Sequence, residues 1–422
     1  MMGDAHAHLP SGCYAQEVCA LSNSANETRP ARQVPYLTTR PGIGGRLRVK
    51  DEDFVVEEVP LYPPTGRGEH TLLYIEKRGI PTSAAILRLA RAVGSSPRRF
   101  SSAGLKDAKA VTRQTLSVHG VAPEALRGLE LENVRVLWAE RHRNRLKIGH
   151  LAGNRFRIRI REVTREAVPE ARVILEELAE RGVPNGFGYQ RFGRLGNNHR
   201  LGKHLVDRDA NAFLSLYLGG PAYRTETEKS RALFREGDWA EALDAWPWSR
   251  GPEYRVLKAL VVTGDPSRAV SALPRSLRRL LVSAYQSYLF NWLLAQRMPA
   301  IGTLECGDLA IKHDNGAFFS VEDPDREQPR ADALAISPSG PLYGPKVRLA
   351  SANPGDRERH LLASEGLSLE RFRGFGTRGG RRPFRVPLLE QKVAWDNGVV
   401  VRFRLPSGSY ATSVLREITK TF

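Results

Sequence analysis

Ala103-Gly104-Leu105-Lys106-Asp107-Ala108-Lys109-Ala110-Val111-Thr112-Arg113-Gln114 sits between two segments of a different kind. Arg99-Phe100-Ser101-Ser102 reads as a strand running into a glycine turn, and Thr115-Leu116-Ser117-Val118 alternates polar and apolar as a strand leaving one. The stretch between them therefore reads as an active-site loop carried by a sheet, not as core. An aspartate with an ordinary pKa near ~3.9 is ionised at neutral pH, and a neighbouring cation keeps it so. Such a carboxylate is a nucleophile that needs no general base. The same Gly-x-Lys-Asp turn also occurs as a solvated surface pair, so the motif alone leaves both readings open.

A chain of 422 residues, 41% hydrophobic and 26% charged, can bury a large core and is long enough for two domains. Its formal net charge of +18 is unusual for an enzyme of small metabolites. It suits a polyanionic partner, nucleic acid first and an anionic membrane second. No apolar run reaches the length of a membrane span and no basic amphipathic helix stands out, which favours nucleic acid. The three cysteines, Cys13, Cys19 and Cys306, make neither a disulfide framework nor a Cys-x-x-Cys zinc site. A reducing cytoplasm is therefore expected.

Residues 1–40 lack both periodicity and the basic start plus apolar run of a secretory signal, and read as a disordered extension. His6, His8, Cys13 and Cys19 fall within it, at a spacing that fits no common metal site. From Gly44 the texture is that of a folded domain. Arg46-Leu47-Arg48-Val49-Lys50 alternates as a strand with a basic face, Asp53 to Val59 follows, and Glu69 to Ile75 is a third strand candidate. A helix starts near Thr82-Ser83, with Ile86, Leu89, Ala90 and Val93 on one face and Gly94 at its end. Periodicity alone places Phe54 in core packing.

Further on, Arg141-His142-Arg143-Asn144-Arg145-Leu146-Lys147 precedes Asn154-Arg155-Phe156-Arg157-Ile158-Arg159-Ile160-Arg161. In the second run Phe156, Ile158 and Ile160 share one face of a strand, and Arg155, Arg157, Arg159 and Arg161 share the other. A row of like charge repels itself unless phosphates or carboxylates lie over it. With Lys147 and the preceding arginines this ladder is a candidate RNA-backbone track; the other reading is a solvated strand face with acidic neighbours. A helix with Pro169 in its first turn and Gly182 at its end then delivers the chain to Val183-Pro184-Asn185-Gly186-Phe187-Gly188-Tyr189-Gln190-Arg191-Phe192-Gly193. This is not a dinucleotide fingerprint, because Arg191 stands where the third glycine is required, and no Walker loop occurs. Aromatics interleaved with amide and guanidinium groups suit stacking on an unpaired base and hydrogen bonding to its edge.

With these stretches in hand, the chain resembles the TruD family of tRNA pseudouridine synthases. The matching motifs follow the family's order: Glu52-Asp53-Phe54-Val55-Val56-Glu57, Gly66-Arg67-Gly68-Glu69-His70, Ala103-Gly104-Leu105-Lys106-Asp107, Ala110-Val111-Thr112-Arg113-Gln114, Gly153-Asn154-Arg155-Phe156, Gly182-Val183-Pro184-Asn185, Phe187-Gly188-Tyr189-Gln190-Arg191-Phe192-Gly193, the run from Ser283 to Asn291, and Leu405-Pro406-Ser407-Gly408-Ser409-Tyr410-Ala411-Thr412. They reach from residue 52 nearly to the end.

The resemblance implies an α+β fold: a pseudouridine synthase catalytic domain on a mixed, mainly antiparallel sheet, interrupted by an inserted family-specific α+β domain, with RNA in the cleft between them. Placed on this chain, residues 41–210 and 381–422 form the catalytic domain and residues 211–380 the insertion. Texture agrees, because after Ala210 the chain turns helical and aromatic, with Trp239, Trp246, Trp248 and an apolar helix through Leu277, Leu280, Leu281, Ala284 and Tyr288. Gly374 to Arg382 reads as a flexible basic return linker.

By the same resemblance Asp107 is the nucleophile that converts tRNA uridine-13 to pseudouridine, attacking the uracil ring or the ribose C1′. Phe54, Asn185 and Phe403 contact the uridine, and Lys106, Phe187, Gln190 and Arg48 complete the substrate site. Neither metal nor cofactor is implied. The expected partner is tRNA, with other RNA open, and the expected state is a monomer. The chain departs from the family pattern at Gly186, where an aromatic is common, at Arg48, where lysine is frequent, and at Ala108, where a basic residue is usual. Two other classes fit the same residues. A base-releasing glycosylase would leave free uracil, and a non-catalytic RNA-binding protein would not need Asp107.

Overall fold

The computed structural model describes residues 34–421; His6, His8, Cys13, Cys19 and most of the expected N-terminal extension lie outside them. Alternation of apolar and polar side chains makes seven early strands: β1 (Phe54–Pro60), β2 (His70–Arg78), β3 (Phe100–Ser102), β4 (Val111–His119), β5 (Glu130–Leu131), β6 (Val134–His142) and β7 (Leu151–Ile160). The later chain adds β8 (Val183–Pro184), β9 (Leu309–Lys312), β10 (Phe318–Ser320), β11 (Ile336–Leu342), β12 (Gly380–Pro383), β13 (Arg385–Val386), β14 (Leu389–Trp395) and β15 (Val399–Pro406).

The main sheet has nine strands in the order β14-β15-β7-β1-β4-β2-β6-β5, with β3 also on β4. β1 and β4 run parallel; the other pairings in this sheet are antiparallel. The expected mixed, mainly antiparallel α+β architecture is therefore present. The last strand joins the early ones where β15 pairs with β7, with Phe403 opposite Phe156. That contact is close: a Cβ on Gly153 would fall 2.3 Å from the Leu405 carbonyl oxygen, so only glycine fits there.

One sheet face is covered twice. Helix Thr82–Ala92 buries Ala85, Leu89 and Ala90 in a cluster with Leu73, Ile75, Leu116 and Val118. Helix Ala167–Arg181 buries Ala171, Ile174, Leu175 and Leu178 in another with Phe54, Phe156, Ile158 and Val401. Between these halves, along β1, β4 and β2, the inward positions turn polar, and Glu58, Thr112, Gln114 and Lys77 are buried. The second sheet runs β10-β9-β11-β12. One apolar cluster extends from Phe156 and Phe403 through Phe187 and Phe290 to Tyr343 and Phe372, so the regions on either side of residue 210 share a core.

Local departures from expectation have physical causes. Residues 34–40, expected in the extension, are packed: Leu37 and Thr38 N–H donate to the buried Glu417 carboxylate at 2.8 and 3.1 Å. A buried carboxylate needs such donors. Arg46 to Lys50 makes a single bridge, Arg46 opposite Arg161, in place of a strand, because Arg48 takes left-handed backbone at φ 57°. β4 begins at Val111 and not at Thr115, since Val111 to Arg113 pair with β1; the loop shrinks to residues 103–110. The stretch ending at Arg382 is no free linker, for β12 pairs with β11 and Arg381 meets Glu358 at 2.7 Å. The second sheet thus runs to Pro383, past the expected boundary at 381. Beside Gly186 the space is filled by Val34, whose Cγ2 would lie 3.1 Å from an added Cβ.

Candidate active site

Asp107 stands on the β3–β4 loop, its side chain 38% exposed. Arg48 donates from Nη2 to Asp107 Oδ2 at 3.1 Å, while its guanidinium lies 4.2 Å above the Phe54 ring. A cation held against an aromatic face is pre-positioned for its carboxylate partner. Lys77 fixes the loop from below, donating from Nζ to the Asp107 carbonyl at 2.6 Å and to the Ile80 carbonyl at 2.7 Å. It is wholly buried, and burial pushes its ammonium down to about 8, against the pull of Asp107. Among the described residues Asp107 Oδ1 has no hydrogen-bond partner.

Lys106 was expected as the cation of Asp107, but it turns away. Its Nζ lies 3.0 Å from Glu58 Oε2 and donates to Asn154 Oδ1 at 2.8 Å, and its backbone N–H donates to Thr82 Oγ1 at 3.1 Å. Glu58 points inward with Phe54 and Val56, where an unpaired carboxylate would be costly. Lys106 supplies the charge, and Thr115 N–H donates to the other oxygen at 3.2 Å. The structure therefore gives Lys106 a part in holding the loop, and gives the Asp107 contact to Arg48.

The expected uridine contacts divide. Phe54 and Phe403 are 1% and 2% exposed and belong to the main core; Phe403 packs on Phe156 with ring centroids 5.3 Å apart. Packing, not an open aromatic surface, is what this structure gives them. Asn185 is buried with its amide engaged: Nδ2 donates to the Pro383 carbonyl at 3.0 Å, and Oδ1 accepts from Arg382. Phe187 is nearly buried, edge-on to Phe290, with the Arg382 guanidinium 4.3 Å from its centroid. Gln190 is exposed in a short 3-10 helix, Tyr189–Phe192. Tyr410 lies beside Phe187 at 5.9 Å.

Each arginine of the ladder meets a carboxylate. Arg155 Nε donates to Glu390 at 2.8 Å and Arg157 Nη2 to Asp396 at 3.2 Å. Arg159 reaches both Asp396 and Asp53, and Arg161 holds Asp53 through two bonds of 2.7 Å. Burial alone would raise the Asp53 pKa, but Arg161, the Lys50 N–H and Arg159 outweigh it and hold the carboxyl below its ordinary range. The phosphate-track reading is thus corrected to the strand face with acidic neighbours.

Sequence reasoning missed Lys77, Glu58 and Arg382. The first two carried a signal, since Lys77 follows Leu73 and Ile75, and Glu58 follows Phe54 and Val56, at the inward period of two. Arg382 lay in the supposed linker. It ties Asn185 to the loop after β15, donating to the Asn185 and Gly408 carbonyls at 2.9 and 3.1 Å. Burial pushes it down to about 10, and neighbouring Arg191 deepens the shift.

Among the described residues no group of three or more His, Cys, Asp or Glu side chains is arranged to hold a metal ion, and no helix is long and apolar enough to cross a membrane. The model of the family tRNA pseudouridine synthase D (TruD) matches residues 32–418. The tRNA pseudouridine synthase D of Geobacter metallireducens is 46% identical over 393 residues, covering 91% of this chain and 97% of that protein. The tRNA pseudouridine synthase D of Thermus thermophilus is 40% identical over 398 residues, 93% of each chain. A solved Methanosarcina mazei structure named for the same synthase superposes with a TM-score of 0.78 at 29% identity, covering 92% of this chain and 96% of that one.

Proposed function

This chain belongs to the TruD family of tRNA pseudouridine synthases, and on that footing we propose that it isomerises a uridine of tRNA, at position 13, to pseudouridine with Asp107 as nucleophile. One arrangement carries the reading: a part-exposed carboxylate fixed by Arg48 through one oxygen and by Lys77 through its own carbonyl, with the second oxygen unengaged among the described residues. Position 13 rests on the family resemblance.

The reaction is a rearrangement within one nucleoside. Asp107 attacks the ribose C1′ as the N1–C1′ bond breaks, or adds to the uracil ring before it does. The freed base turns, C5 bonds to C1′, and the carboxylate leaves. The C5 hydrogen departs as a proton and N1 gains one, so atoms and electrons balance without a redox partner or group donor. Arg48 orients the carboxylate, and Lys77 keeps the loop from swinging. A misplacement of about 1 Å in such a group can lower the rate on the order of a hundredfold.

The test is to map pseudouridine in tRNA from cells with and without the gene, and in tRNA treated with the purified chain. The modification at position 13 is expected to vanish with the gene and return with the protein. Uridine-13 unconverted by the purified chain, or free uracil released in its place, would overturn the reading.

A further inference from the structure

The ladder on β7 is spent on carboxylates, but the turn before it is not. That turn, residues 143–150, exposes Asn144, Arg145 and Lys147. Among the described residues neither cation meets a carboxylate, and Arg145 donates only to the Phe100 carbonyl at 3.5 Å. With Tyr62, His142 and His150 these side chains line a cavity of about 500 Å³, within the usual size of ligand sites. Tyr62 stacks on His142 with centroids 5.3 Å apart and planes 5° from parallel. It meets His150 edge-on, and its hydroxyl lies 2.7 Å from His150 Nδ1. His142 is buried, yet its Nδ1 has no partner among the described residues, and a buried polar atom of that kind asks for one. Rings, an amide and two unneutralised cations are the groups that take one unpaired nucleotide: stacking for the base, hydrogen bonds for its edge, charge for its phosphate.

The cavity is tied to the Asp107 loop. Gly149 N–H donates to the Ala103 carbonyl at 2.8 Å, and Leu146, Leu151 and Tyr62 pack with Ala103. Ala103 lies four residues before Asp107, at most about 14 Å along the chain. Leu105 and Ile148, 83% and 89% exposed, stand on these joined backbones. Apolar tips of this kind slip between bases where a nucleic acid is unstacked.

We propose that this cavity is a second RNA site, holding an unpaired nucleotide within a few positions of the modified uridine, its phosphate on Arg145 and Lys147. It rests on the RNA substrate reading above, though not on the chemistry at Asp107. The test uses the full chain as Asp107→Asn, expected to bind without turning over, and compares it with the same chain carrying Asn144→Ala and Lys147→Ala. Both added changes are at exposed positions, and a melting curve checks the fold. A tRNA transcript should bind about five- to tenfold more weakly to the altered chain, and the log-log salt slope should become shallower by about 0.7, the value for one single-stranded phosphate contact. A 4-thiouridine transcript should photo-cross-link to the peptides holding Tyr62 or His150. Unchanged affinity and slope, or cross-links confined to other segments, would overturn the site. A wild-type chain that bound tRNA through this turn but converted no uridine would overturn the proposed reaction and leave the site standing.

Discussion

Asp53 and Asp107 are both aspartates paired with arginine, each just ahead of one of the two parallel strands, and their surroundings differ. Asp53, before β1, is wholly buried and accepts from Arg161 twice, from Arg159 and from the Lys50 N–H. Asp107, before β4, is part exposed and meets one arginine through one oxygen. A carboxylate whose lone pairs are all engaged is a structural joint; one that meets a single partner among the described residues leaves an oxygen open. What separates the two is the number of partners already taken, not the presence of a neighbouring cation.

The largest change in stability is expected one residue beyond Asp53. Phe54→Ala should lower unfolding stability by about 3–5 kcal/mol, the usual range for a buried phenylalanine, and should also remove the ring on which Arg48 rests. An unchanged urea midpoint would return Phe54 to the role of an open base contact and blur the contrast drawn here. Asp53→Asn comes next, with a loss of about 3 kcal/mol from breaking a buried pair. The sign with pH follows from its depressed folded pKa. Its contribution is complete above the ordinary value of 3.8 and is lost as pH falls through the folded value. The wild-type chain should therefore lose stability in that acid window by a component that Asp53→Asn lacks, as paired urea titrations would show.

Lys77→Met should slow turnover about a hundredfold. In the wild-type chain turnover should decline as pH rises through about 8, where the buried ammonium loses its charge. Stability should move the other way, because between about 8 and the ordinary 10.5 the unfolded chain binds more protons at this position than the folded one. A pH–rate profile flat across that range would show that Lys77 does not set the position of Asp107. The smallest effect is expected on the ladder: Arg155→Ala should change stability by about 1 kcal/mol or less and leave the salt slope of tRNA binding unchanged. A shallower slope there would restore the phosphate track.

Alternation made β1, β2 and β7 legible, because a strand's inward face is written at every second residue. It also held the polar seam: Lys77 behind Leu73 and Ile75, and Glu58 behind Phe54 and Val56. Partners are another matter. Arg155 meets Glu390 across 235 residues of chain and Asn185 meets Arg382 across 197, and periodicity records the face of a side chain but not what lies over it. In sequence the ladder therefore stays open between a phosphate track and a face with acidic neighbours, and the Gly374 to Arg382 stretch reads as a linker. The loop that carries Asp107 was legible between β3 and β4, while the cation beside that residue, Arg48 and not adjacent Lys106, depended on a left-handed residue that no pattern announces.

Asp107 as the nucleophile is tested most directly by one measurement: turnover of Asp107→Asn on tRNA, beside its melting temperature and tRNA affinity. The substitution keeps the shape and removes the attacking oxygen anion, so fold and affinity should persist while pseudouridine formation falls by about four orders of magnitude or more. A purified Asp107→Asn chain that still converted uridine at a tenth of the wild-type rate, with reversion to aspartate excluded by mass spectrometry, would contradict it.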